Sequence, residues 1–135
     1  MSNDTATGQY LAIFRCAAWE KGRSNEELQA IVDKFSAWYA WMEKRSEIKG
    51  GMPLHGEGRF VSGKNGSTVA DGPFAESKEA IGGFIIIEAA DMDEAVELAR
   101  EWPLLDYGYT IEVRPVASQC STQQKLNEQL AHASA

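Results

Sequence analysis

Short runs of apolar residues predict the main strands of this chain. Residues 10–16 are rich in β-forming residues and apolar on both alternating faces, as expected for a strand in the interior of a sheet. Residues 84–88 form a β-branched and aromatic run typical of a central strand. Residues 110–116 alternate, with Ile111 and Val113 on one face and polar side chains on the other. We therefore predict three strands of one sheet.

A first helix is predicted by apolar side chains that recur every three or four residues. It begins at a capping box, in which the Ser24 hydroxyl and the Glu27 carboxylate satisfy backbone N–H groups at the helix start. We expect Gly50-Gly51 to end it, since glycine adopts the left-handed conformation that closes a last turn. The apolar stripe along this helix comprises Leu28, Ile31, Val32, Phe35, Tyr39 and Met42.

A second helix is predicted downstream by the same kind of pattern. Asp91 and Glu94 form a plausible N-cap pair, and Pro103 is expected to end the helix. Its predicted buried stripe comprises Ala95, Val96, Ala99 and Trp102.

A β-hairpin is predicted between the two helices. Residues 59–62 and 67–70 flank Asn65-Gly66, and Asn-Gly favours a hairpin because both residues accept positive φ. The order β, α, β-rich segment, β, α, β then matches a split βαβ arrangement. The predicted fold class is α+β and ferredoxin-like, of the dimeric α+β barrel type. It has an antiparallel sheet, two helices on one face and the added hairpin.

The second face of the predicted sheet needs a cover. Residues 10–16 and 84–88 are apolar on both faces, so a single two-layer domain would expose a large apolar surface, which monomers rarely tolerate. We therefore predict a homodimer formed through the sheet face.

Length and charge limit the organisation and the partners. The 135 residues suffice for one domain, predicted at 9–117 between a disordered segment 1–8 and a tail or short helix 118–135. A net charge of -7 without a basic cluster argues against nucleic acid as a partner. No secretory signal pattern or bilayer-length apolar run occurs in the sequence, which predicts a cytoplasmic protein without a membrane partner.

The cysteines give no metal or redox motif. Cys16 and Cys120 do not form a Cys-x-x-Cys pair, so zinc and thioredoxin-type sites lack their ligands. We expect no metal and no cofactor. Cys16 in the first strand is either a reactive thiol or a buried, inert one.

An ordered series of motifs resembles a known family. Asp71-Gly72-Pro73-Phe74 is followed by Gly82-Gly83-Phe84 and then by Glu112-Val113-Arg114-Pro115-Val116. This series resembles the DGPF branch of the YCII-like proteins over roughly residues 10–117. The resemblance implies a dimeric ferredoxin-like fold. Some relatives are similar to dehydrochlorinase-type enzymes that use a His–Asp pair, and DGPF proteins are often associated with sigma-factor regulatory genes.

Asp71 and His55 are the candidate catalytic residues. Asp71 lies beside a Gly-Pro turn that can hold its carboxylate at the mouth of a pocket, or it can simply build that turn. His55 carries an imidazole, the side chain that most often serves as a general acid or base, and it suits that role if it faces Asp71. A surface position for His55 is the alternative.

Charged residues elsewhere are candidate ligand-binding groups. Glu76 and Lys78 lie close together and can set each other's pKa values in a cleft or form a solvated loop. Glu112 and Arg114 share one strand face, which predicts an ion pair there if that face lines an interior. We expect any pocket to lie between the sheet and the dimer partner, with aromatic walls and Asp71, Arg15 or Arg114 as polar groups.

Three functions fit this sequence. The first is a homodimeric protein that binds a small molecule and has an accessory or regulatory role. The second is a cofactor-free enzyme that performs proton-transfer or elimination chemistry with Asp71 as base and His55 assisting. The third is a structural or partner-protein module, which the acidity and the tail suggest.

Overall fold

The computed structural model describes residues 8–16, 19–45, 47–72 and 80–134. They form six strands and three α-helices, joined in part by short 3₁₀ turns. The elements are β1 (Gln9–Arg15), α1 (Asn25–Arg45), β2 (Ile48–Pro53), β3 (Arg59–Ser62), β4 (Thr68–Asp71), β5 (Gly83–Glu88), α2 (Met92–Ala99), β6 (Thr110–Pro115) and α3 (Ser121–Ser134).

Four strands form one antiparallel sheet in the order β2-β5-β1-β6. β1 and β2 are joined through α1 and lie on either side of β5, which is the split βαβ arrangement. The second crossover, through α2, places β6 beside β1. The predicted α+β ferredoxin-like fold is therefore confirmed.

The helices cover one face of this sheet. Side chains of β1 alternate between buried and half-buried, and the buried set, Tyr10, Ala12 and Phe14, belongs to the hydrophobic core. Ile31 and Met42 of α1 join that core, as do Leu98 of α2 and the aromatic rings around Phe14. The Trp38 indole of α1 donates a 2.9 Å hydrogen bond to the Leu98 carbonyl, which ties the two helices together.

Both predicted helix starts are confirmed. At α1 the Ser24 Oγ accepts from the Glu27 amide at 3.1 Å, and the Glu27 carboxylate accepts from the Ser24 amide at 3.2 Å. At α2 the Asp91 carboxylate accepts from the Glu94 amide at 2.8 Å, and the Glu94 carboxylate accepts from the Ala90 amide at 3.1 Å. Each cap satisfies amides that have no partner inside the helix.

The predicted helix ends were wrong. α1 ends at Arg45 and not at Gly50-Gly51, because these glycines belong to β2 and pair with β5. α2 ends at Ala99, so Trp102 is buried in the connection that follows the helix. Within α2, Leu98 is buried in place of Val96. Pairing along the sheet edge outweighs the local glycine pattern as a determinant of where the first helix stops.

The predicted hairpin is confirmed as β3 and β4, with Val61 opposite Val69. Asn65 and Gly66 both take positive φ, of 60° and 67°, as the Asn-Gly pair predicts. All residues of both strands are exposed. Residues 121–133 of α3 are also exposed, apart from the half-buried Gln124, and the two leucines point largely to solvent. Within the described ranges, no helix combines the length and apolar character needed to cross a membrane.

Candidate functional site

Three predicted site residues meet on the sheet face that the helices leave uncovered. Arg15 of β1 donates from Nη2 and Nε to Oε1 of Glu112 in β6, at 2.7 and 3.2 Å. Arg114 Nε lies 3.7 Å from Oε2 of the same carboxylate. The Arg15 and Glu112 side chains are about a quarter and a third exposed, whereas Arg114 is largely exposed. The Glu112–Arg114 ion pair expected from strand spacing is present. Arg15 is a second arginine bound to the same carboxylate.

Apolar side chains occupy the centre of this uncovered face. Leu11 and Ile13 of β1 lie beside Ile86 and Phe84 of β5, and Ile13 lies opposite Glu112 on its other side. These four side chains are half-buried and do not belong to the core on the helix side. We refer to Leu11, Ile13, Phe84 and Ile86 as the open-face patch.

A second charged group lies near the margin of this face. Lys49 Nζ is 2.7 Å from the Glu47 carboxylate and 3.5 Å from that of Glu88. The hydrogen bond from Lys49 and its positive charge lower the pKa of Glu47, and the bond to Glu47 raises the pKa of Lys49. Ion pairs therefore lie on two sides of the open-face patch.

The two candidate catalytic residues lie outside any described cleft. Asp71 is the last residue of β4, its side chain is 88% exposed, and its carboxylate lies 3.5 Å from Arg59 Nε across the hairpin. His55 is exposed in the connection between β2 and β3. Glu76 and Lys78 lie outside the described residues. In the described ranges, no cluster of three His, Cys, Asp or Glu side chains has a geometry that could hold a metal ion.

A cavity of about 410 Å³ lies between α1 and the sheet, on the helix-covered side. This volume lies within the usual range for small-molecule sites, about 300–1,000 Å³. Val32 of α1 and Met52 of β2 are exposed lining residues, at 46% and 65%, so the mouth lies between these elements. Its aromatic walls are formed by Phe14, Trp19, Phe35, Tyr39 and Trp102.

The described walls of this cavity carry no ionised side chain. Cys16 is the one lining residue there with a titratable group other than the Tyr39 phenol. Burial, with a smaller contribution from the negative charge of Glu20, raises the pKa of the Cys16 thiol to about 11. The thiol is therefore neutral at physiological pH, and the cavity suits an uncharged, largely apolar ligand.

Glycines form the part of the cavity wall where β2 and β5 meet. A Cβ atom at Gly51 would lie 2.7 Å from Cγ2 of Ile85, and one at Gly83 would lie 2.9 Å from the Met52 carbonyl oxygen. Neither position tolerates a side chain without moving backbone atoms, since real Cβ contacts are not that short. One glycine of each pair, Gly51 and Gly83, thus allows β2 to approach β5 beside the cavity.

Sequence reasoning missed this cavity. It placed a pocket between the sheet and a partner, whereas the cavity of the described chain is on the opposite side of the sheet. None of the predicted site residues within the described ranges lines it, but four members of the helix stripe, Ile31, Val32, Phe35 and Tyr39, do. The glycine pairs were the available indication, because a glycine inside a strand often marks a close backbone approach.

The chain is similar to known proteins over most of its length. An uncharacterized protein of Rhizobium meliloti (strain 1021) is 29% identical over 102 residues, which cover 75% of this chain and 82% of that protein. A solved structure of 5-chloro-2-hydroxyhydroquinone dehydrochlorinase from Burkholderia phenoliruptrix AC1100, in complex with 2,5-dihydroxybenzoquinone, aligns with a TM-score of 0.41 and 22% identity. The alignment covers 78% of this chain and 90% of that chain.

The family is established by a match that spans most of the sequence. Residues 15–118 match the YCII-related domain. This range includes β2 to β6 and both helices that cover the sheet, and it confirms the resemblance seen in the motifs. The chain therefore belongs to the YCII-related domain family.

Proposed function

We propose that this protein binds a small, uncharged and largely apolar molecule in the cavity between α1 and the sheet. The observation that carries the proposal is the cavity itself, about 410 Å³ in volume, with five aromatic rings in its walls. Pockets of this size with apolar walls and few polar groups are typical of small-molecule sites.

The electrostatics of the cavity favour binding over acid–base catalysis. A general base must reach the proton that it removes, within about 3.2 Å or through one water. Asp71 and His55 do not line the cavity, and the Cys16 thiol is held protonated by burial. The described walls therefore supply shape and apolar contact, whereas a base would have to come from elsewhere.

We further propose that two copies associate through the open-face patch. Leu11, Ile13, Phe84 and Ile86 form an apolar centre, and the Arg15–Glu112 ion pair lies at its side. An apolar centre with a charged rim is the usual composition of a protein interface. Association would remove these side chains from water without closing the cavity, which opens on the other side of the sheet.

A mouth-blocking variant tests the binding proposal. Val32 is 46% exposed on α1, so Val32→Trp adds bulk at the cavity mouth without overfilling the core. We expect neutral aromatic fragments to raise the melting temperature of the native protein, because a ligand that binds only the folded state stabilises it. The rise should disappear in Val32→Trp and persist in the matched variant Val32→Ala.

A further variant distinguishes ligand binding in this cavity from ligand binding beside the hairpin. Asp71→Asn should leave both the melting temperature and the response to fragments unchanged, because Asp71 is exposed and does not line the cavity. A fragment response that survives Val32→Trp but is lost in Asp71→Asn would refute the cavity as the site.

A further inference from the structure

Trp102, a residue of the cavity wall, carries one polar atom that has no partner within the described part of the chain. Trp102 is 2% exposed, and its indole Nε1 is a buried donor without a hydrogen-bond acceptor among the described residues. The buried indole of Trp38 provides the comparison, because it donates to the Leu98 carbonyl at 2.9 Å. An unsatisfied buried donor costs about 1–3 kcal/mol, so native proteins seldom retain one without a reason.

We propose that the Trp102 indole N–H is the specificity group of the cavity and donates a hydrogen bond to an acceptor atom of the bound molecule. This inference rests on the proposed function and names the ligand class: an uncharged aromatic or alicyclic molecule with one acceptor, such as a carbonyl oxygen. The apolar walls bind the rings, and the indole fixes the orientation.

Two of the three polar side chains in the described wall favour an acceptor on the ligand, and the third, the Tyr39 phenol, can donate or accept. The thiol of Cys16 is protonated and therefore offers a weak S–H donor. The indole of Trp102 is donor only. A ligand that carries only donors would leave the indole unsatisfied, whereas a ligand with a carbonyl removes the cost of the orphan donor.

Access to this donor requires a small adjustment of the wall. The nitrogen exposes less than 1 Å² of surface, so a ligand oxygen reaches it only after neighbouring side chains shift. Phe14, which also lines the cavity, stacks on the Trp102 ring at a centroid distance of 5.1 Å, so a shift of Phe14 would leave the indole room to move. Side-chain rearrangements of this kind are common on binding, even where the backbone does not move.

Two probes of matched shape test the inference. 2-Acetylnaphthalene carries a carbonyl oxygen, and 2-ethylnaphthalene has nearly the same shape without one. We expect the ketone to bind roughly tenfold more tightly to the native protein, as estimated for one satisfied buried donor. In Trp102→Phe, which keeps an aromatic ring but removes the N–H, the two affinities should become equal.

A spectroscopic measurement keeps the test valid if Trp102→Phe folds poorly. The native chain has four tryptophans, so its ¹H–¹⁵N spectrum contains four indole signals. The ketone should shift the Trp102 indole proton downfield, while the Trp38 indole, already bonded to Leu98, should move little. The hydrocarbon should produce no such downfield shift.

The outcomes distinguish this inference from the function on which it rests. If both probes bind equally and the Trp102 signal is insensitive to the ketone, the hydrogen bond is refuted while cavity binding stands. If neither probe binds the native protein and Val32→Ala and Val32→Trp behave alike, the proposed function fails and the inference fails with it.

Discussion

Cys16 is a residue whose environment determines its chemistry. It follows β1, is 7% exposed and lines the cavity, and burial raises the pKa of its thiol to about 11. The thiolate is the nucleophilic form of cysteine, and a pKa raised above the ordinary value decreases the thiolate fraction at any pH below it. Of the two possibilities that the sequence allows for Cys16, the structure favours the inert thiol.

Alkylation rates provide a direct test of Cys16. We expect iodoacetamide to react with Cys16 in the Cys120→Ala protein about a hundredfold more slowly at pH 8 than with an ordinary thiol, because the pKa is raised by about two units. The rate should still increase at pH 10. The Cys16→Ala protein, which retains the exposed Cys120, is the matched control. A Cys16 rate that levels off near pH 8 would contradict the raised pKa.

The carboxylate of Glu112 holds two arginines on the uncovered face. Glu112→Gln removes this charge and weakens the two hydrogen bonds that the partly buried Arg15 donates to it. We expect the free energy of unfolding to fall by about 1–2 kcal/mol, since charge-assisted hydrogen bonds contribute more than neutral ones. Urea unfolding at one fixed protein concentration measures this change.

A surface ion pair serves as the control for Glu112. Glu97→Gln breaks the Glu97–Arg100 pair, in which both side chains are about two-thirds exposed or more. Exposed pairs contribute about 0–1 kcal/mol, so the loss should be within about 0.5 kcal/mol. Equal losses in the two variants would show that Glu112 is no more than another surface charge.

Local hydrogen-bonding patterns could be predicted from the sequence residue by residue, and longer-range roles could not. The Ser24–Glu27 box and the Asn65-Gly66 turn depend on neighbours in the chain, and both are present. The role of Gly51 depends on Ile85, which is distant in sequence. No local pattern specifies which strand approaches a glycine.

The elements differ in how much of their stability is local. α2 has only eight residues, and isolated helices of that length are unstable in water, so it depends on its cap and on packing. The Asp91 carboxylate accepts from the Glu94 amide at 2.8 Å and is exposed. The cap is therefore accessible to mutation without disturbing the core.

Removal of this cap should be measurable. We expect Asp91→Ala to lower the free energy of unfolding by about 1 kcal/mol, the typical value for loss of an N-cap. Asp93→Ala is the matched control, because Asp93 is an exposed aspartate of the first turn with no capping role. Its effect should be a few tenths of a kcal/mol, from the helix dipole alone. Thermal or urea unfolding that ranks Asp93→Ala as the more damaging change would contradict the assigned cap.

Element types were predictable here because their periodicity is strong, and their ends were less so. The stripe of α1 predicts a helix, but its end at Arg45 is set by the pairing of residues 48–53 with β5. Conversely, β3 and β4 form the predicted hairpin although all their side chains are exposed. An isolated two-stranded hairpin is marginally stable, so this element has the least tertiary support of the described strands.

At the scale of the molecule, the topology could be predicted from the sequence, whereas the cavity could not. The order of strands and helices allows few right-handed, short connections, and the split βαβ arrangement is one of them. A cavity, however, is the volume that packed side chains leave empty. It depends on the relative position of α1 and β2, which no single segment encodes.

The two faces of the sheet lead to the prediction that concerns the whole molecule. One face is covered by helices, and the other presents the open-face patch, which is only half-buried within a single chain. We expect sedimentation velocity at micromolar concentration to give a dimer, and Ile13→Lys to give a monomer. A lysine in the centre of the patch would have to lose its hydration in the interface.

The choice of Ile13 keeps the monomer folded. A lysine at this position lies opposite Glu112, so its ammonium has a carboxylate within one strand and its methylene groups can cover Phe84. Circular dichroism should therefore be unchanged. Leu126→Asp on the exposed helix α3 is the control, since it also adds a charge to an apolar surface position but lies outside the sheet. A native protein that sediments as a monomer, or a dimer that Leu126→Asp disrupts and Ile13→Lys does not, would show that the uncovered sheet face is not the interface.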